Sequence, residues 1–291
     1  MHPSQLRSRS ISELLDTAVR LYRAHAVQLL ALSAIVLLPT TLLRVLLVAS
    51  APFAVYLIES LQNIFLIPLL CAALTTAGVR IYANQSFTLP QMLRAGLRRG
   101  LSVLGASVIE GAAIGLAIVA LGGGLIAALT FVSRSPDNPW LWALAALVVI
   151  PCVVVLAAKY AVAIPALVVE GLNARNGVRR SWALTKGRLW PTAVVLTATT
   201  LLTLLVAQAP SLVLTTLSSA LLGSALLGGG PDVAWLAGLQ IVLVQVGLAI
   251  TLPLQYLVPV VLYYDLRIRN EGYDLEQQAA SGLANAAPAR A

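Results

Sequence analysis

Six apolar runs, each at least 25 residues long, set what this 291-residue chain can fold into; they cover about 26–50, 55–79, 101–132, 140–169, 190–227 and 235–264. A helix rises about 1.5 Å per residue and needs about 20 apolar residues to cross a bilayer, so every run can span. Inside a membrane the backbone must satisfy its own hydrogen bonds, which leaves helices or closed barrels. Unbroken apolar runs without period-two alternation select the helix. The expected fold is therefore all-α, a polytopic membrane bundle of six transmembrane helices. Only 10% of residues are charged, against about 25% in soluble domains.

Two runs are longer than a span requires. Gly122-Gly123-Gly124 could end or bend the third, and Ala209-Pro210 could kink or break the fifth, raising the count to seven. The charges favour six. Arg7, Arg9, Arg20 and Arg23 precede the first run, and Arg80, Arg94, Arg98 and Arg99 follow the second. Arg175, Arg179, Arg180, Lys186 and Arg188 separate the fourth from the fifth, and Arg267, Arg269 and Arg290 follow the sixth. Of the basic residues the opposite loops hold only Arg134, and one of them carries the acidic Asp232. Positive residues stay on the cytoplasmic side, so both termini are expected there, in a multi-pass protein of the cell membrane. The same placement assigns the net charge of +8 to membrane topology and anionic lipid, with no nucleic-acid partner.

Three segments follow. Residues 1–25 form a cytoplasmic amphipathic lead-in, 26–269 the membrane domain, and 270–291 a cytoplasmic tail whose Ala-rich end is expected to be disordered. In the lead-in, Ser10 or Ser12 could cap a helix, with Glu13 and Asp16 near its positive end. Ile11, Leu14, Leu15, Ala18, Val19, Leu21 and Tyr22 would form its apolar face. Ala49-Ser50-Ala51 imitates a signal-peptidase site, but the run before it is long and contains Arg44, so an uncleaved first span is expected.

The longest polar interruption is EGLNARNGVRRSWALTKGRLW, Glu170 to Trp190. Val178, Trp182, Leu184 and Leu189 interleave with its bases at near-helical spacing, which suits an amphipathic helix at the membrane surface. Arg175, Arg179, Arg180, Trp182, Lys186, Arg188 and Trp190 are then candidate contacts to anionic headgroups at the cytoplasmic face. The plainer reading is a basic loop that only fixes topology. SELLDTAVRLYR and PQMLRAGLRRG resemble GVRRSWALTKGR in placing a basic amphipathic segment before a span, and each precedes a helical hairpin. Lys159-Tyr160 and Gln255-Tyr256 also echo one another, which suggests a threefold repeat of hairpins.

Charges inside spans are expensive and mark candidate sites. Glu110 and Lys159 each lie about ten residues from the cytoplasmic end of a span, about 15 Å deep, so adjacent helices could pair them. Arg44 and Glu59 could pair near the outer end. Either pair could instead be a structural bridge that fixes helix register. Tyr160, Gln208, Gln245, Gln255 and Tyr256 could line a cavity or bond between helices. Gly111-xxx-Gly115 permits close packing within the bundle.

Catalytic chemistry is poorly supplied. Cys71 and Cys152 sit inside apolar runs, and His2 and His25 both precede the first span. There is no phosphate-binding loop, dinucleotide fingerprint or metal-ligand cluster. No catalytic residue, metal or cofactor is expected.

EGLNARNGVRRSWALTKGRLWP, LYYDLRIRNEGYDLE and SISELLDTAVRLYRAHAVQLLALSAIVLLP resemble the glycerophosphoryl diester phosphodiesterase membrane domain family, across nearly the whole chain. Related bacterial multi-spanning families share the pattern, and RRSWxLTxGRxW is its most specific element. The resemblance implies the membrane part without the soluble phosphodiesterase barrel, whose metal-binding carboxylates and catalytic histidines find no counterpart here. The expected function is a non-catalytic scaffold or regulatory module for an envelope or lipid-related partner, in the membrane or the cytoplasm. The alternative is a transporter or binder of lipid or a small molecule, with Glu110 and Lys159 beside the pathway.

Overall fold

A computed structural model of the protein describes residues 10–133, 139–226 and 234–272. Arg7, Arg9, Arg134, Asp232, Arg290 and the tail beyond 272 lie outside them. Among the described residues all regular structure is helical, and six helical stretches are long and apolar enough to cross a membrane.

The first helix, α1 (Ile11–Ala24), begins with a reciprocal cap. Ser10 Oγ accepts from the Glu13 amide at 3.3 Å, and the Glu13 carboxylate accepts from the Ser10 amide at 3.0 Å. Ser10 rather than Ser12 is therefore the cap. The chain breaks at His25 and enters the membrane as α2 (Ala26–Leu47). The second span comprises α3 (Pro52–Leu61), a π-helical turn (Gln62–Leu66) and α4 (Ile67–Tyr82). The third comprises α5 (Leu89–Ala117), a π-helical turn (Ile118–Gly123) and α6 (Gly124–Ser133). The fourth comprises α7 (Pro139–Tyr160) and α8 (Ala163–Glu170); α9 (Ala174–Thr185) follows, then α10 (Leu189–Leu226) and α11 (Ala234–Glu271).

Two expectations change here, at the PQMLRAGLRRG segment and in the fourth run, and two alternatives close. The basic PQMLRAGLRRG segment is no separate surface helix, because α5 runs from Leu89 into the membrane without a break. The Gly122 cluster does not end its span; it closes a π-helical turn, a common way to bend a helix. Pro210 lies inside a continuous α10, so the fifth run remains one helix. The fourth run, conversely, is interrupted between Tyr160 and Ala163.

Helices α4 and α11 form the interior. Leu70, Ala72, Ala73, Leu74 and Ala77 of α4 are buried, as are Leu257, Val258 and Val260 to Tyr264 of α11. The Tyr82 and Tyr264 rings stack at 4.5 Å between these two helices. Leu116, Val119, Phe131, Trp142 and Leu147 on the outer parts of the third and fourth spans stay exposed, as side chains facing acyl chains do.

Glycine sets the closest approaches, though not where the sequence pointed. At Gly111 and Gly115 an added Cβ would meet nothing within 4 Å, so that pair packs against no neighbour in the bundle. Gly96 is the tight contact: a Cβ there would lie 2.8 Å from the Leu69 carbonyl oxygen of α4. At Gly247 a Cβ would lie 2.7 Å from the Ala207 Cα of α10. Backbone cannot move aside as a side-chain tip can. Gly96→Ala and Gly247→Ala should each destabilise by about 1–3 kcal/mol in a mixed-micelle denaturation series. Gly111→Ala should be neutral or slightly stabilising, since alanine is favoured over glycine in helices by about 1 kcal/mol.

Candidate functional site

The polar stretch after α8 folds back on the bundle because its ends are set by local geometry. Gly171 takes the left-handed conformation (φ 70°) that closes α8, and the Asn173 side chain accepts from the Asn176 amide at 3.0 Å to open α9. Gly177 lets α9 approach α8, where a Cβ would lie 3.2 Å from the Ala163 carbonyl oxygen. Val178, Ser181, Leu184 and Thr185 are buried. The apolar face of α9 therefore packs on the bundle, and its bases and Trp182 remain on the exposed side.

Arg180 is the hub. Its Nε donates to both Glu170 carboxylate oxygens at 2.8 and 3.0 Å, and its Nη1 reaches Glu271 at the end of α11. Glu170 also accepts from the Tyr263 hydroxyl at 2.7 Å, and Glu271 accepts from Arg267 Nε at 3.0 Å. Asn270 Nδ2 donates to the Leu184 carbonyl at 2.7 Å. Ser181 Oγ donates to the Lys159 carbonyl at 2.7 Å and accepts from the Val162 amide at 3.3 Å, satisfying the interruption in the fourth span. The segments GVRRSWALTKGRLW and LYYDLRIRNE thus meet as one clasp joining α8, α9 and α11.

Electrostatics follow the contacts. The hydrogen bond to Glu271 leads the interactions that raise the Arg180 pKa further above its usual range, so it remains charged. At Glu271 burial alone would raise the pKa, but hydrogen bonds from Arg180 and Arg267 outweigh it and the net direction is down.

Of the candidate lipid contacts, Arg175, Arg179, Trp182, Lys186, Arg188 and Trp190 are exposed, while Arg180 is half-buried in the clasp. The helix direction puts Arg94, Arg98 and the end of α11 on the same basic face. The outer pair is brought together: Arg44 Nη2 meets Glu59 Oε2 at 2.9 Å, while Arg44 Nε is buried without a partner. The deeper pair is not. Lys159 lies over the Trp182 ring, its Nζ 4.6 Å from the centroid, and no ion pair joins it to Glu110. A depth of about 15 Å for Lys159 requires one straight helix through residue 169. The interruption after Tyr160 puts Lys159 level with α9 instead. Glu110 is half-buried and close enough to bear electrostatically on Cys71, Tyr160 and Tyr256. The two echoing tyrosines therefore pack in one cluster, with Cys71, Ala106 and Leu167.

Gln245, a candidate for bonding between helices, does so with Gln62, which sequence reasoning missed, toward the end of the bundle away from the basic face. Gln62 and Gln245, 2% and 3% exposed, exchange amide hydrogen bonds at 2.8 and 3.4 Å, and Thr40 Oγ1 donates to Gln62 Oε1 at 2.7 Å. Gln62 opens the π-helical turn of its span, and a glutamine inside an apolar run was the available signal. Gln208, by contrast, accepts only from Ser211 of its own helix.

The family described as the membrane domain of glycerophosphoryl diester phosphodiesterase matches residues 131–278, just over half of the chain. That description is of a membrane domain and not of the catalytic one. No curated protein and no solved structure matches the chain.

Glu271 has a lowered folded pKa, so its stabilisation is complete above its ordinary value of 4.5 and is lost as pH falls through the lowered folded value. In detergent, thermal stability should hold from neutral pH to about 5 and then fall. Glu271→Gln should lower stability at pH 7 and flatten part of that acid slope. Circular dichroism melting checks both effects.

Proposed function

We propose, from the premise that the chain belongs to the glycerophosphoryl diester phosphodiesterase membrane domain family, that it is a non-catalytic scaffold or regulatory module of the cell membrane. Its basic face lies in the cytoplasm, together with both termini. Its partner is a protein acting on the envelope or its lipids.

The observation that carries this reading is the clasp. Arg180, Glu170, Glu271, Tyr263 and Asn270 are used to hold helices together, which is a positioning task and leaves no free acid–base pair among them. What the clasp presents is the outer side of α9, where Arg175, Arg179, Trp182 and Lys186 are exposed. Arginine and lysine at this level attract anionic headgroups, by about 1 kcal/mol for each residue near the surface. The same basic face would be open to a partner. Trp182, backed by Lys159 and Tyr160, gives it a rigid aromatic point.

The transport alternative now rests on Glu110 with Tyr160 and Tyr256, because Lys159 is engaged elsewhere. A half-buried carboxyl inside a span is an arrangement that proton-coupled carriers use, and equally one that fixes packing.

Photo-crosslinking from positions 175, 179 and 186 in native membranes should give a discrete protein adduct. Adducts to lipid alone from all three positions would contradict the scaffold reading. In a strain that depends on the chain, Glu110→Gln should leave function intact. A folded Glu110→Gln protein without function would favour transport.

A further inference from the structure

A second group of arginines lies beside the clasp, with the Arg99 guanidinium reaching Gly171 at the end of α8. Arg80 near the end of α4 and Arg94, Arg98 and Arg99 in the first turns of α5 line one cleft of about 500 Å³, with Thr76, Gln91, Ala95 and Val168. Two helices bring them together: Thr76 and Arg80 share a face of α4, Arg94 and Arg98 a face of α5, each at i, i+4 spacing. The helices are held close by Gly96 against Leu69 and Ala73, so the cleft has rigid walls.

Four like charges in one cleft repel, and elsewhere on this face the protein supplies counter-charges. Arg20 meets Asp16, Arg180 meets Glu170 and Glu271, Arg267 meets Glu271, and Arg269 meets Asp265. Among the described residues no carboxylate forms an ion pair with Arg80, Arg94, Arg98 or Arg99. Among the described residues their one side-chain hydrogen bond runs from Arg80 Nη1 to Gln91 Oε1, at a long 3.4 Å. A positive-inside signal needs arginines only on one side of the membrane, not gathered from two helices into a cleft without acid. Planar guanidinium forks suit phosphate oxygens, which accept paired hydrogen bonds.

We infer that this cleft binds the phosphates of an anionic phospholipid in the leaflet on the basic face, with a two-phosphate headgroup such as that of diphosphatidylglycerol preferred. The lipid, rather than a soluble phosphate, follows from what lies on the same helix face. Leu97 and Leu101 are 66% and 81% exposed and follow Arg94 and Arg98 at i+3, deeper along α5. Charge above and exposed leucine below match a headgroup and its acyl chains. Basic pockets between transmembrane helices bind lipids of this kind. The site is separate from α9, so it stands or falls independently of the scaffold reading.

The test uses the full chain in nanodiscs of phosphatidylcholine doped with diphosphatidylglycerol, phosphatidylglycerol or neither, with retained lipid counted by native mass spectrometry. The wild type should retain diphosphatidylglycerol in preference to phosphatidylglycerol. Arg94→Gln with Arg98→Gln should weaken that retention at least about tenfold, at about 1 kcal/mol for each arginine near the surface. Arg175→Gln with Arg179→Gln should lower retention of both anionic lipids alike and leave the preference for diphosphatidylglycerol intact. Both exchanged arginines are exposed, and Arg94→Lys with Arg98→Lys keeps the charge should the glutamine variant fail to fold. The lysine variant should keep the lipid with a reduced preference for two phosphates. An α5 variant that keeps the preference for diphosphatidylglycerol, or an α9 variant that loses it to the same extent, would overturn the site. So would release of the lipid by millimolar glycerol phosphate, which would make it a soluble-phosphate site.

Discussion

Arg180 sits between two carboxylates that lie 101 positions apart in sequence, Glu170 closing α8 and Glu271 closing α11. A charged group this far out of water must be matched or the fold loses several kcal/mol, and removal of any one member leaves the others uncompensated. The three residues therefore act as a unit. With Tyr263 hydrogen-bonded to Glu170 and Asn270 to the Leu184 carbonyl, the clasp determines where α9 lies. The position of α9 in turn places Ser181 on the interruption of the fourth span and Trp182 beneath Lys159.

The bundle has two regimes, divided by depth. On the basic face, burial, aromatic stacking and ion pairs are dense, through Leu14 and Ala18 of α1, Tyr82, Leu184 and the Val260–Leu266 segment. Toward the other side, cohesion depends on fewer and more specific contacts, namely Arg44 with Glu59 and the Gln62–Gln245 exchange. Apolar burial gives little driving force between helices in a lipid solvent, so polar bonds and glycine-mediated contact carry more of the association there. The exposed leucines and valines of the third and fourth spans are consistent with that solvent.

Six spans, the capped lead-in and the Arg44–Glu59 pair were legible in the sequence because each depends on local pattern or on a hairpin neighbour. Length and apolarity give a span, Ser10 with Glu13 gives a cap, and two residues 15 apart across a tight hairpin meet almost by construction. Lys159 was misplaced because the break between Tyr160 and Ala163 is signalled only by Pro165 in the first turn of α8, and prolines also sit inside unbroken spans here, as Pro151 and Pro210 do. Gly96-xxx-Gly100 was overlooked for Gly111-xxx-Gly115 because spacing alone does not tell which helix face meets a neighbour. Arg180 read as one basic residue among five, since its partners lie 10 and 91 positions away in sequence. Only the fold joins them.

The position of α9 is open to direct observation. With Cys71 and Cys152 replaced by alanine, a spin label at Arg179→Cys reports depth through its relative exposure to oxygen and to a water-soluble nickel chelate, and order through its line shape. If the clasp holds α9 on the bundle at the membrane surface, the label will show restricted motion at headgroup depth, and Arg180→Gln will free it. A label that is mobile in water in the parent chain, or one whose spectrum is indifferent to Arg180→Gln, would contradict that role for the clasp.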